Sequence, residues 1–130
     1  MDIYNYTENR KWFERASKVI PCGVYGHFSP APCVPPDAYP FFGIKANGCR
    51  FWDVDGNEFI DYMCAYGPMI LGYHNPVVDE AFLRQLRECD VNSIASTKMV
   101  ELAEFLVDLI PIADWAFFAK NGADVTNYAV

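Results

Sequence analysis

Asp55-Gly56, set between Arg50-Phe51-Trp52-Asp53-Val54 and Glu58-Phe59-Ile60-Asp61-Tyr62, constrains this chain more than any other stretch. Asp-Gly accepts the positive φ of a tight turn, and aromatic and β-branched residues crowd both flanks. An antiparallel hairpin is the expected result. Phe41 to Ile44 is a candidate third strand. Trp52 and Phe59 are expected on one face or across strands from each other, packed against the helix that follows. Asp53, Asp55 and Asp61 look like paired carboxylates, but on a hairpin they read as turn and surface residues.

Around the hairpin the chain changes character. Trp12 to Ile20 has Trp12, Phe13, Ala16, Val19 and Ile20 on one side of a short amphipathic helix, broken by Pro21 and Gly23. From Pro21 to Pro40 six prolines and two glycines make an extended connector. Asn75-Pro76 opens a helix with a capping residue and Pro at the first helical position, and Val78, Ala81, Phe82 and Leu86 form its apolar face. A second helix follows Ser96 or Thr97, carries Met99, Leu102, Ala103, Leu106, Leu109 and Ile110 at helical spacing, and stops at Pro111.

The end of the chain holds the chemistry-bearing signal. Ala116-Phe117-Phe118-Ala119 is a short apolar run suited to a buried parallel strand, Lys120 to Asp124 a tight loop, and Val125 to Val130 the start of a helix. Two readings of this segment stand open on the local residues. Asn121-Gly122 fits the turn of a type I′ hairpin. The alternative is that a strand, a Gly-containing loop and a helix make an anion site, because the first helical turn offers unpaired N–H groups and the positive end of the dipole.

Charge and composition narrow the class. A net charge of −7 with ten scattered Lys and Arg excludes a phosphate-backbone interface, so no nucleic-acid partner is expected. No apolar run approaches the roughly 20 residues of a membrane span, and Met1-Asp2-Ile3-Tyr4-Asn5 lacks the pattern of a signal peptide. A cytoplasmic protein without a membrane partner is expected. Cys22, Cys33, Cys49, Cys64 and Cys89 form no C-x-x-C pair and read as reduced, packed thiols. His27 and His74 have no partner at metal-ligand spacing, so no metal site is assigned.

Phe51-Trp52-Asp53-Val54-Asp55-Gly56-Asn57-Glu58-Phe59-Ile60-Asp61-Tyr62, followed by Gly67-Pro68-Met69-Ile70-Leu71-Gly72-Tyr73-His74-Asn75-Pro76, resembles the signature of the glutamate-1-semialdehyde aminomutases within the class III aminotransferases. Ile20-Pro21-Cys22-Gly23-Val24, Glu101-Leu102-Ala103-Glu104 and Phe118 to Thr126 match further family segments in the same order. The resemblance covers essentially the whole chain. It implies an α/β fold of PLP fold type I: a small antiparallel hairpin segment over 1–75 that contributes to the small domain, and over 76–130 the truncated start of the large, mostly parallel PLP-binding domain.

The same resemblance implies pyridoxal 5′-phosphate as cofactor, an amino donor and a carbonyl acceptor as substrates, and a homodimer. Asn121, Gly122 and Ala123 then cradle the cofactor phosphate, and Tyr66 takes the place of an aromatic residue near the substrate pocket; a Tyr packed beside the Gly67-Pro68 turn is the plainer alternative. His74 reads as structural. Ala123 lacks the hydroxyl that the family's Ser-Gly-Thr carries there. Tyr25 to Pro30 replaces an Arg of the aminomutases, which favours general aminotransferase chemistry. The family's Schiff-base lysine and the aspartate that pairs with the pyridine nitrogen match nothing in 1–130, Lys11, Lys18, Lys45, Lys98 and Lys120 included. No catalytic residue is therefore assigned, and these residues alone are expected to be inactive. The competing expectation is a non-enzymatic remnant or small binding module.

Overall fold

The structure is a computed structural model that describes residues 4–24 and 34–130. Met1 to Ile3, Cys33, His27 and the Tyr25 to Pro30 stretch lie outside the described residues, as does much of the Pro21–Pro40 connector. The chain divides into two compact units, residues 1–84 and 85–130.

In the first unit, α1 (Thr7–Ala16) precedes a three-stranded antiparallel sheet of β1 (Gly43–Asn47), β2 (Arg50–Asp53) and β3 (Glu58–Ile60), ordered β1-β2-β3. The Asp55-Gly56 signal is realised: the Asp53 and Gly56 N–H groups donate across the turn to Asn57 and Asp53 carbonyls, and Gly56 takes φ 84°. The register sets Phe51 opposite Phe59 and Trp52 opposite Glu58. Phe51 and Phe59 stack with centroids 5.2 Å apart, while the Lys45 ammonium sits 4.5 Å from the Trp52 ring centroid. Trp52 and Phe59 therefore occupy successive registers and point to opposite faces, contrary to expectation. Nor does β2 make an extended contact with the helix from Pro76 among the described residues.

Two boundaries differ from the sequence reading. The third strand starts at Gly43 rather than Phe41, because the Phe41 N–H is taken by the Asn9 side chain at 2.9 Å instead of a strand partner. The first helix covers Thr7–Ala16 rather than 12–20. Its cap is supplied from the hairpin, as described below, and Val19 lies beyond the helix, 81% exposed. Phe13 and Ala16 do face inward, Phe13 packed on Phe41 and Ala16 the one apolar side chain buried among the described residues, while Trp12 lies beside Phe42 and stays 42% exposed.

Asn75 and Ser96 act as helix caps for plain reasons. The Asn75 side-chain Oδ1 accepts from Val77 and Val78 N–H at the start of α2 (Pro76–Glu88), and the Ser96 hydroxyl accepts from Lys98 N–H at the start of α3 (Thr97–Leu109). The residue before Pro111 is pushed to extended geometry, which ends α3. The last helix, α4 (Gly122–Ala129), begins three residues earlier than expected. Phe117 and Phe118 lie in no strand: a parallel strand takes its hydrogen bonds from neighbouring strands, and none of the described residues provides one.

Apolar side chains remain open on the helices, Phe82 and Leu83 on α2 and Phe105 and Leu109 on α3 among them. Among the described residues Cys22, Cys49, Cys64 and Cys89 are free, and Cys22, Cys49 and Cys89 are exposed rather than packed. Among the described residues no helix is long and apolar enough to cross a membrane.

Candidate cofactor and substrate sites

At the expected phosphate loop the chain turns into a helix and not into the hairpin, while residues 116–119 form no strand among the described residues. Asn121 is extended at φ −131° and ψ 157°, and its carbonyl accepts from Val125 N–H at 3.1 Å to close the first turn of α4. The N–H groups of Gly122, Ala123 and Asp124 then have no acceptor within the helix. Phe117 rests edge-on against Tyr128 at 4.8 Å, so the extended segment is laid back along the helix it feeds. Trp115, Phe117, Val125, Tyr128 and Ala129 line an apolar cleft of about 360 Å³ there.

What can this turn hold? A Cβ built on Gly122 meets no atom within 4 Å, and Gly122 lacks a positive φ, so the chain itself has no steric need of glycine here. The open space at Gly122, beside three N–H groups without an acceptor in the helix, suits a phosphate approaching the main chain. Side chains add little. The Asn121 amide donates to the Asp124 carboxylate at 3.2 Å instead of capping, the Thr126 hydroxyl donates back to the Ala123 carbonyl, and Ala123 has no hydroxyl. The residues fit a phosphate through backbone donors and the helix dipole.

Tyr66 belongs to the other unit, on a turn with unusual backbone. Cys64, Ala65 and Tyr66 form one 3-10 turn in which all three have positive φ, 48°, 48° and 64°. For residues with a β-carbon, left-handed geometry costs on the order of 1–2 kcal/mol each, and such outliers cluster at functional sites. Tyr66 is 63% exposed.

Asp61 holds the near end of this turn. Its Oδ1 accepts from Met63 N–H at 2.7 Å and Cys64 N–H at 3.1 Å, and its Oδ2 accepts from the Tyr73 hydroxyl at 2.6 Å. The Tyr73 hydrogen bond, with the two main-chain donors, holds the Asp61 carboxyl below the usual range against some desolvation. Bonding to the Asp61 carboxylate in turn pushes the Tyr73 phenol up to about 12. His74, also at positive φ, places Nδ1 3.0 Å from the Asp79 carboxylate at the start of α2.

The remaining hairpin acids build structure of a kind the sequence did not disclose. Asp53 is fully buried, not a surface residue, and its carboxylate accepts from Asp55 N–H, Asn57 N–H and the Asn57 amide at 2.8–3.0 Å. Asp55 reaches across to α1, where its two oxygens accept from Glu8 and Asn9 N–H at 2.8 Å each. The turn of the hairpin is thus the N-cap of a helix 46 residues away. Asn9, also fully buried, completes the clasp: its amide donates to Pro36 and Tyr39 carbonyls, and its oxygen accepts from Phe41 N–H. Every polar atom of this cluster is satisfied inside the chain, which leaves it no capacity for a ligand. Among the described residues no group of three or more His, Cys, Asp or Glu is placed to hold a metal ion.

Known proteins fit this geometry. An aminopentol aminotransferase of Sphingopyxis macrogoltabida is 44% identical over 97% of this chain and 29% of its own length. A glutamate-1-semialdehyde 2,1-aminomutase of Methanococcoides burtonii is 40% identical over 95% of the chain and 28% of its own length. Among solved structures, the FumI protein of Sphingopyxis sp. MTA144 in a PLP form superposes with a TM-score of 0.86 at 44% identity, over 95% of this chain and 29% of that one. An omega-transaminase from Sphaerobacter thermophilus gives 0.81 at 27% identity, over 93% and 26%. The fold is therefore that of the amino-terminal part of these enzymes, and the 130 residues span less than a third of their length. The model of the class III aminotransferases matches residues 34–130, and the chain belongs to that family.

Proposed function

We propose that these residues are the amino-terminal part of a PLP-dependent aminotransferase, or of an enzyme like the glutamate-1-semialdehyde aminomutases, and that Asn121, Gly122 and Ala123 hold the cofactor phosphate. The observation that carries the reading is the open first turn of α4, with three N–H groups that lack an acceptor in the helix and open space where a Cβ on Gly122 would lie. PLP, when bound, supplies an electron sink for the carbon next to the substrate nitrogen. The contribution of this chain is to fix one end of that group by main-chain donors. The Phe117–Tyr128 contact stiffens the loop from behind.

Tyr66, raised on its left-handed turn, lines the substrate pocket and faces the side chain of an amino donor. Residues 1–75 contribute to the small domain and 76–130 begin the large one. The enzyme acts in the cytoplasm as a homodimer on a small-molecule amino donor and a carbonyl acceptor. No catalytic residue is assigned within 1–130.

The test compares PLP with pyridoxal, which lacks the phosphate, by titration of the intact apoprotein. Two or more charge-assisted hydrogen bonds of about 1.5–3 kcal/mol each predict at least a hundredfold preference for PLP. Gly122→Val fills the space at the loop and is expected to abolish most of that preference while leaving pyridoxal binding unchanged. Equal preference in the variant and the wild type would refute the assignment.

A further inference from the structure

Tyr66 stands on three consecutive left-handed residues, a conformation that a free loop would not keep. Something must hold it, and the structure shows what does. The Asp61 carboxylate grips the entry to the turn at Met63 and Cys64, and the Cys64 carbonyl accepts from Gly67 and Met69 N–H, closing its exit. The other Asp61 oxygen is bound by the Tyr73 hydroxyl.

Tyr73 in turn is fixed to the sheet. Its N–H and C=O pair with the C=O and N–H of Gly48, at the turn between β1 and β2, at 2.8 and 3.0 Å. Gly72 makes that crossing possible, since a β-carbon there would meet the Gly48 carbonyl oxygen at 3.0 Å, and its φ is 83°. Under the turn the Asp61 and Tyr73 side chains border a small cavity of about 100 Å³, so the support is not a packed plug. The turn is held by directed hydrogen bonds.

We propose that the Asp61–Tyr73 pair is a positioning clamp that transmits the rigidity of the sheet to the 64–66 turn and thereby sets the substrate selectivity exerted by Tyr66. The inference rests on the reading of Tyr66 as a pocket residue. Neither clamp residue touches the substrate. Tyr73→Phe removes one hydroxyl and keeps the ring, so it loosens the turn without emptying the space. Asp61→Asn keeps the acceptor at one oxygen and weakens both grips.

The experiment is a double-mutant cycle in the intact holoenzyme on a bulky and a small amino donor. The readout is the ratio of their kcat/KM values. Tyr66→Ala should change that ratio, and Tyr73→Phe should shift it in the same direction by roughly fivefold, a size typical of coupling within one hydrogen-bonded network. In the Tyr66→Ala background Tyr73→Phe should add nothing to the ratio. A merely structural role would lower both donors equally and leave the ratio alone. Asp61→Asn gives a second variant should Tyr73→Phe fold poorly, and circular dichroism with PLP absorbance checks each for folding. If Tyr66→Ala leaves the ratio unchanged, the pocket reading fails and takes this inference with it. If Tyr66→Ala shifts the ratio but Tyr73→Phe does not, or the two effects add in full, the pocket reading survives and the clamp is overturned.

Discussion

The Asp53–Asn57 turn and the Asn121–Asp124 turn are built from the same kinds of residue, Asp, Asn and Gly, and do opposite things. At the first, every carboxylate and amide is consumed inside the chain: Asp53 closes its own turn, Asp55 caps α1, and Asn57 reaches Asn5. At the second, Asn121 and Asp124 bond to each other and no side chain caps the main-chain donors of α4. A turn whose polar atoms are all paired serves architecture. One whose donors are left over is available to a ligand, and composition alone does not tell them apart.

That contrast predicts a graded series of effects. The largest belongs to Asp53→Ala, which strands three donors beneath a fully buried site. At about 1–3 kcal/mol for each unsatisfied group, partly relieved by water, we expect roughly 3 kcal/mol or more off the unfolding free energy in urea. Once refolded, the protein should bind PLP with wild-type affinity. A large loss of cofactor affinity in a folded Asp53→Ala protein would erase the distinction between the two turns.

Asp55→Ala removes a cap and is expected to cost about 1–2 kcal/mol. The loss should appear as faster amide exchange in the first turn of α1, with the hairpin itself intact. Unchanged exchange at Glu8 and Asn9 would contradict the cross-chain cap. Ala123→Thr, at the other turn, offers the phosphate a hydroxyl. It should tighten PLP by up to about tenfold, worth some 1.4 kcal/mol, and leave the melting temperature of the apoprotein unaltered. Weaker binding would place the phosphate elsewhere.

The smallest effect is on pH dependence. Asp61 has a carboxyl pKa below its unfolded value of 3.8, so its stabilisation is complete above that value and fades as pH falls through the lower folded pKa. Tyr73 is raised from 10.0 to about 12, so its contribution is complete below 10.0 and fades as pH rises through about 12. Thermal melts of Tyr73→Phe against wild type should therefore differ at neutral pH and converge at both extremes. A difference that stays constant from acid to strong alkali would mean the pair does not bond as described.

Much of this was legible in the residues. Asp55-Gly56 gave away the hairpin, and Asn75-Pro76 and Ser96 the starts of α2 and α3, while the local residues before Gly122 left hairpin and helix open. Each of these signals lies within a few residues of what it specifies. What escaped is nonlocal. The start of α1 depends on a carboxylate 47 residues downstream, so a local search put the helix five residues late. The face of Trp52 is set by sheet register, which a residue list does not fix. The strand at Phe117 needs neighbours that the described residues do not provide. Asp61 is the instructive case: read as a turn residue, it is one, but the hydroxyl that occupies its second oxygen comes from Tyr73, across a loop with no periodic pattern.

The central claim is that the α4 turn is a site and the hairpin turn a scaffold, and Gly122→Val tests it most directly. The measurement is the melting temperature of the intact protein, apo and with saturating PLP, for wild type and variant. Because a Cβ at Gly122 meets nothing in the chain and its φ is not positive, the apoproteins should melt together. Saturating PLP should raise the wild type well above its apo value and the variant much less, by the mass-action link between binding and stability. An apo variant that melts several degrees lower, or a PLP-induced rise as large as in the wild type, would contradict the account.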